Sequence, residues 1–139
     1  MASNLYTSYK NNQLGDGTRI DLDGDTIKVA LVADEDYTFS AAHTTMDDVT
    51  AYSGTTDQTL SNKTISGGSF DNTADLTFSS VAVDGTKDVD GLVVYKYVDG
   101  TPANNPLCWY YDLTSPVRPN STDITVQFNA SGLITVTAS

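Results

Sequence analysis

From Gln58 onward, apolar and polar positions alternate in short runs separated by Gly, Asn, Asp and Ser. In Asp75-Leu76-Thr77-Phe78-Ser79 and Ile124-Thr125-Val126-Gln127-Phe128 the period is two. A strand with that period turns Leu76, Phe78, Ile124, Val126 and Phe128 to one face and the hydroxyls and amide to the other. The same reading predicts strands at 59–65, 68–70, 75–81, 92–98, 107–113, 124–128 and 133–138. Upstream, Thr26 to Ala33 is a nearly continuous apolar run rich in β-branched residues, which suits a strand buried on both faces and placed centrally. Acidic turn material flanks it, Asp21 to Asp25 before and Asp34 to Asp36 after.

The remaining segments are connections. Residues 4–14 put Leu5, Tyr6, Tyr9 and Leu14 near helical spacing and stop at Gly15-Asp16-Gly17, which predicts a short helix or an arm reaching a neighbouring subunit. Such an arm would be removable without unfolding the domain. Tyr37 to Tyr52 has no clean period and reads as a long loop with one helical turn capped by Thr44 or Thr45. Asp84-Gly85, Asp90-Gly91, Asp99-Gly100 and Ser131-Gly132 supply turns. Asn129 to Gly132 has hairpin length, so the last two strands should pair antiparallel. All four prolines fall between the predicted strands. The expected fold is all-β: an antiparallel β-sandwich of about eight strands with a short N-terminal helix or arm. Its organisation is an arm at 1–18 and one β-sandwich domain at 19–139, the number of cores a 139-residue chain ordinarily forms.

Composition narrows the function classes. The net charge of −11 argues against a nucleic-acid surface, which needs clustered Lys and Arg. The first residues lack the basic start and apolar stretch of a secretory signal, and no run reaches membrane-spanning length, so neither membrane nor export is expected. Cys108, the sole cysteine, reads as a small buried apolar residue.

Candidate chemistry is sparse. The only histidine, His43, lies in a loop and lacks nucleophile-elbow glycines near it; it reads as structural. Asp21, Asp23 and Asp25 resemble part of a calcium loop, but Thr26 and Val32 stand where an EF-hand needs glycine and a bidentate glutamate, so a turn is expected and no cofactor or metal is assigned. The acids Asp34, Glu35, Asp36, Asp47 and Asp48 suit glycoside cleavage only if a cleft holds two of them opposed, and nothing in the pattern predicts one. No catalytic residue is assigned. The most suggestive group is aromatic: Trp109 and Tyr111 on one face of a strand, Tyr110 on the other, with Tyr95 and Tyr97 on the strand before. Core packing explains most of it; interface anchoring or a sugar platform explains the rest.

Taken in order, several segments resemble a family of small bacteriophage structural proteins. They are Asn4-Leu5-Tyr6, the strand from Asp25 to Val32, Asp36-Tyr37-Thr38, His43, and Leu60-Ser61-Asn62-Lys63-Thr64. Asp75 to Val81, Leu92 to Lys96 and Pro119 to Phe128 complete the set, so the likeness runs nearly end to end. The resemblance implies a virion component, non-enzymatic, and by size and fold a capsid decoration, or cement, protein on the outer shell. The implied partners are the major capsid protein and neighbouring copies of the chain, without nucleic acid or membrane; the implied location is the capsid surface, and the host cytoplasm before assembly. The interface candidates are Leu5, Tyr6, Tyr9, Tyr37, Tyr52, Trp109 and Tyr111. A tail, neck or fibre component and a carbohydrate-binding module are the alternatives.

Overall fold

The computed structural model describes residues 2–67, 69–128 and 134–138. Among these the chain forms ten strands and one α-helix. In chain order they are β1 (Ala2–Leu5), α1 (Thr7–Leu14), β2 (Ile27–Val32), β3 (Gln58–Thr59), β4 (Lys63–Ser66) and β5 (Ser69–Asn72). Then follow β6 (Leu76–Phe78), β7 (Val89–Lys96), β8 (Leu107–Val117), β9 (Ile124–Phe128) and β10 (Ile134–Ala138). All pairings are antiparallel: a five-stranded sheet β1-β8-β7-β2-β3, a three-stranded sheet β10-β9-β6 and the hairpin β4-β5. The small sheet lies against the large one, β6 beside β3 and β10 beside β8, which gives the expected all-β, sandwich-like arrangement.

Alternation explains the small sheet. Leu76, Phe78, Ile124 and Val126 are buried, whereas Thr77 and Gln127 face solvent. β9 has the expected bounds and pairs antiparallel with β10; the connecting turn lies outside the described residues. In the large sheet the apolar run of β2 is buried nearly throughout, but the central strand is β7, because β2 is followed only by the two-residue β3. The segment expected as one strand at 59–65 divides at Leu60: its N–H still donates to Ile27 O (2.9 Å), after which the chain leaves for the β4-β5 hairpin.

Three further expectations are corrected. Pro116 lies inside β8, where Val89 opposes Val117 but Gly91 opposes Asp112, so residues 113–116 bulge out of register and no ladder donor is lost. Gly91 is a strand residue and not a turn: a Cβ there would come 2.5 Å from the Tyr110 ring. The N-terminal segment is not a detachable arm. β1 pairs with β8, Leu5 opposite Trp109, and Tyr6 and Tyr9 are buried in the core. α1 itself is polar and stops at Gly15, whose left-handed φ of 106° lets the N–H groups of Gly15 and Asp16 satisfy the carbonyls of Asn12 and Asn11.

Candidate functional site

The aromatic residues sort into two sets, one on each face of β8. On one face Trp109 meets Tyr9 of α1 (6.1 Å between ring centroids), Phe70 of β5 (5.7 Å) and Tyr111 (6.4 Å). On the other Tyr110 stacks on Phe39 (5.2 Å, 17°) and meets Tyr37 edge-on at 6.0 Å. Period-two reading of β8 anticipated this split. Tyr37 then links two neighbours by hydrogen bonds, to the Tyr6 hydroxyl at 2.8 Å and to His43 Nδ1 at 3.0 Å. Burial pushes the Tyr6 hydroxyl far above the ordinary phenol range, with the Tyr37 bond adding to it. His43 thus serves the packing of this loop. Tyr52 is also internal: its hydroxyl donates to Ala82 O (2.8 Å) and accepts from Asp84 N–H (2.9 Å).

Of the seven interface candidates, then, Tyr6, Tyr9, Tyr37, Tyr52 and Trp109 are core residues that offer a partner no free surface. Tyr6, Tyr9, Tyr37 and Trp109 are held there by the apolar area and ring contacts they bury, Tyr52 by its apolar area and its two hydroxyl hydrogen bonds. Tyr111 is half-buried and Leu5 is 45% exposed, so these two remain available.

The acidic clusters are absorbed by turns. Asp21 Oδ1 accepts from Gly24 N–H (3.0 Å), Asp25 Oδ2 accepts from Asp21 N–H (2.9 Å), and Asp25 also pairs with Lys96 at 3.0 Å. Asp48 Oδ2 accepts from the N–H groups of Thr44 (2.8 Å) and Thr45 (3.3 Å), capping the 3-10 turn Met46–Asp48; those bonds hold its carboxyl below the usual range. Asp36 pairs with Lys87 at 2.9 Å. Burial raises the Asp34 carboxyl, helped by nearby Asp90, Asp112 and Glu35; Asp34, Asp112 and Tyr110 share a shallow depression of about 360 Å³. Cys108 is fully buried, which pushes its thiol above the ordinary range and leaves it unreactive.

A larger cleft, of about 450 Å³, opens over β2 and the end of β7. Its floor is set by register: Lys28 of β2 lies opposite Tyr95 of β7, and Tyr97, two residues on, continues the ladder by donating its N–H to Thr26 O (2.8 Å). One wall is Met46, Val49 and Ala51; the other runs from Asp99 to Asn105. The walls are tied together where Met46 N–H donates to Asn105 O and Leu107 N–H donates to Thr44 O, both at 3.0 Å. The buried Asn105 side chain braces the second wall: Oδ1 accepts from Val98 N–H (2.6 Å), and Nδ2 donates to Asp99 O (2.9 Å).

Lys28, Asp57 and Asp99 supply the charge in this cleft. The Tyr95 hydroxyl donates to Asp57 Oδ2 at 2.6 Å, and Lys28 Nζ stands 3.8 Å above the Tyr97 ring centre. Burial raises the Asp57 carboxyl, opposed by the Tyr95 bond and by the Lys28 charge. Among the described residues, Asp57 Oδ1 and Lys28 Nζ have no hydrogen-bond partner, and the two groups do not reach ion-pair distance of each other. The sequence reading named Tyr95 and Tyr97 but missed Lys28, Asp57 and Asn105. A lysine inside an otherwise apolar strand was the available signal.

Compared with models of known protein families, with curated proteins and with solved structures, the chain matches none.

Proposed function

We propose that the chain is a non-enzymatic structural component of a bacteriophage virion, a head decoration protein that binds the outer capsid shell and stabilises contacts between major capsid subunits. The likeness of its ordered segments to small phage structural proteins supports this reading. The observation that carries it is the asymmetry of the large sheet's two edges. At one edge β3 is only two residues long, a length that offers little to an incoming strand. At the other, β1 runs Ala-Ser-Asn-Leu without charge or proline, the usual devices that block edge pairing. Beside it Leu5 is exposed and Tyr111 half-exposed. An open edge flanked by apolar side chains suits strand addition by a partner, here the major capsid protein or a neighbouring copy. Repeated over a shell, such contacts gain from high effective concentration. The chain passes through the host cytoplasm and ends on the capsid surface.

Electron cryomicroscopy of purified particles tests this directly. Decoration predicts many copies distributed over the shell with β1 at the contact; a few copies at one vertex would make the protein a tail or neck component instead. Leu5→Lys places a charge on the exposed edge without touching the core, and should lower shell occupancy while leaving the melting temperature unchanged. Unchanged occupancy would remove β1 from the contact.

A further inference from the structure

We propose that the cleft floored by Lys28, Tyr95 and Tyr97 binds a neutral saccharide residue. Two groups in the cleft keep hydrogen-bonding capacity that no other described residue takes up. Asp57 presents an acceptor oxygen, Oδ1, beside the one occupied by the Tyr95 hydroxyl, and Lys28 presents its ammonium donors from above the Tyr97 ring. The two line the same cleft yet are not paired with each other. A guest that satisfies both must carry donors and acceptors close together. An anionic guest would meet Asp57, Asp99 and a chain of net charge −11; a simple cation would meet Lys28. A polyhydroxyl compound has no such conflict, since one hydroxyl accepts from Lys28 while another donates to Asp57.

The rest of the cleft fits the same chemistry. Met46 and Pro102 give apolar surface for the C–H faces of a sugar ring, and the volume of about 450 Å³ falls in the range of small-ligand sites. The walls are built rigidly, by the Asn105 hydrogen bonds and the Asp48 cap, so little ordering remains to be done on binding. Holding a carboxylate in a partly desolvated place that raises it is unfavourable for the fold alone, and a ligand would recover that loss. The inference stands apart from the capsid reading: it concerns β2, the end of β7 and the loops beside them, not β1, and holds wherever the chain resides.

The test is an amide-resolved NMR titration of the intact chain with the methyl glycosides of glucose, galactose, mannose and N-acetylglucosamine, with glycine and methylammonium as comparison probes. At least one glycoside should give saturable shifts centred on the amides of Lys28, Asp57, Tyr97 and Asn105. Lys28→Gln and Asp57→Asn, both conservative and confirmed folded by the unperturbed remainder of the spectrum, should each weaken that affinity by about tenfold. The proposal would be overturned by no saturable shift with any glycoside, by shifts that map elsewhere, or by an affinity within about twofold of the original in both variants. Saturation by glycine or methylammonium alone would assign the cleft to a charged guest and equally refute it.

Discussion

Two clusters built from the same materials lie on the large sheet and have different fates. Tyr6, Tyr37 and His43 form a hydrogen-bonded chain closed over by Phe39 and Tyr110. Tyr95, Asp57, Lys28 and Tyr97 make one hydrogen bond and one cation-ring contact, then stop. In the first, the Tyr6 and Tyr37 hydroxyls find partners within the chain and the Phe39 and Tyr110 rings stack, so the cluster contributes to the fold. In the second, two charged groups keep capacity for something outside. Between these two clusters the difference lies in completion of the hydrogen-bond inventory and not in residue type.

The largest effect should come from breaking the closed cluster at its stacked ring. Tyr110→Ala is expected to lower stability by about 3–5 kcal/mol in urea unfolding, the loss typical of a large buried ring, whereas Tyr97→Ala at the open cleft should stay within about 1 kcal/mol. Comparable losses at both sites would erase the distinction. Gly91→Ala, which drives a methyl into the Tyr110 ring, should reduce stability by about 1–3 kcal/mol by the same assay. A smaller effect concerns the cap beneath the cleft wall. The Asp48 carboxyl is held below its ordinary value by the Thr44 and Thr45 N–H groups, so its contribution is present above the unfolded pKa and fades as pH falls through the folded one. Asp48→Asn should therefore show a weaker loss of stability on acidification than the parent chain, measured by melting temperature between neutral and strongly acid pH.

Much of the fold was legible because period two is a local signal. β9 and the two-faced aromatics of β8 follow from alternation, the body of β7 and β8 from strand-length apolar runs between turn residues, and the pairing of β9 with β10 from the hairpin length between them. What failed depended on distant pairing. β2 looked central because its run is apolar, but centrality is decided by how long β3 is, and the chain departs after Leu60. β1 was hidden because Ala2-Ser3-Asn4-Leu5 carries no strand pattern and becomes a strand only when β8 is there to pair with it. Tyr6 and Tyr9 looked like surface anchors because their segment read as a short helix or a free arm, and Tyr37 and Tyr52 because theirs has no clean period. All four are buried since both segments fold back over the sheet, which no local pattern encodes. Asp57 was unreadable for the same reason: its meaning lies in Tyr95, 38 positions away.

The most direct measurement sets Tyr37→Phe against Asp57→Asn in thermal unfolding at neutral pH. Tyr37→Phe strands the buried Tyr6 hydroxyl and should be destabilising by about 1–3 kcal/mol. Asp57 carries a raised carboxyl, which favours the folded state more as pH falls toward and below its unfolded pKa and less once both forms are ionised. Replacing it with neutral, hydrogen-bonding Asn is thus predicted to leave the melting temperature equal to or above that of the parent chain. A loss for Asp57→Asn as large as that for Tyr37→Phe would mean that the open cluster serves the fold after all, and would contradict the account.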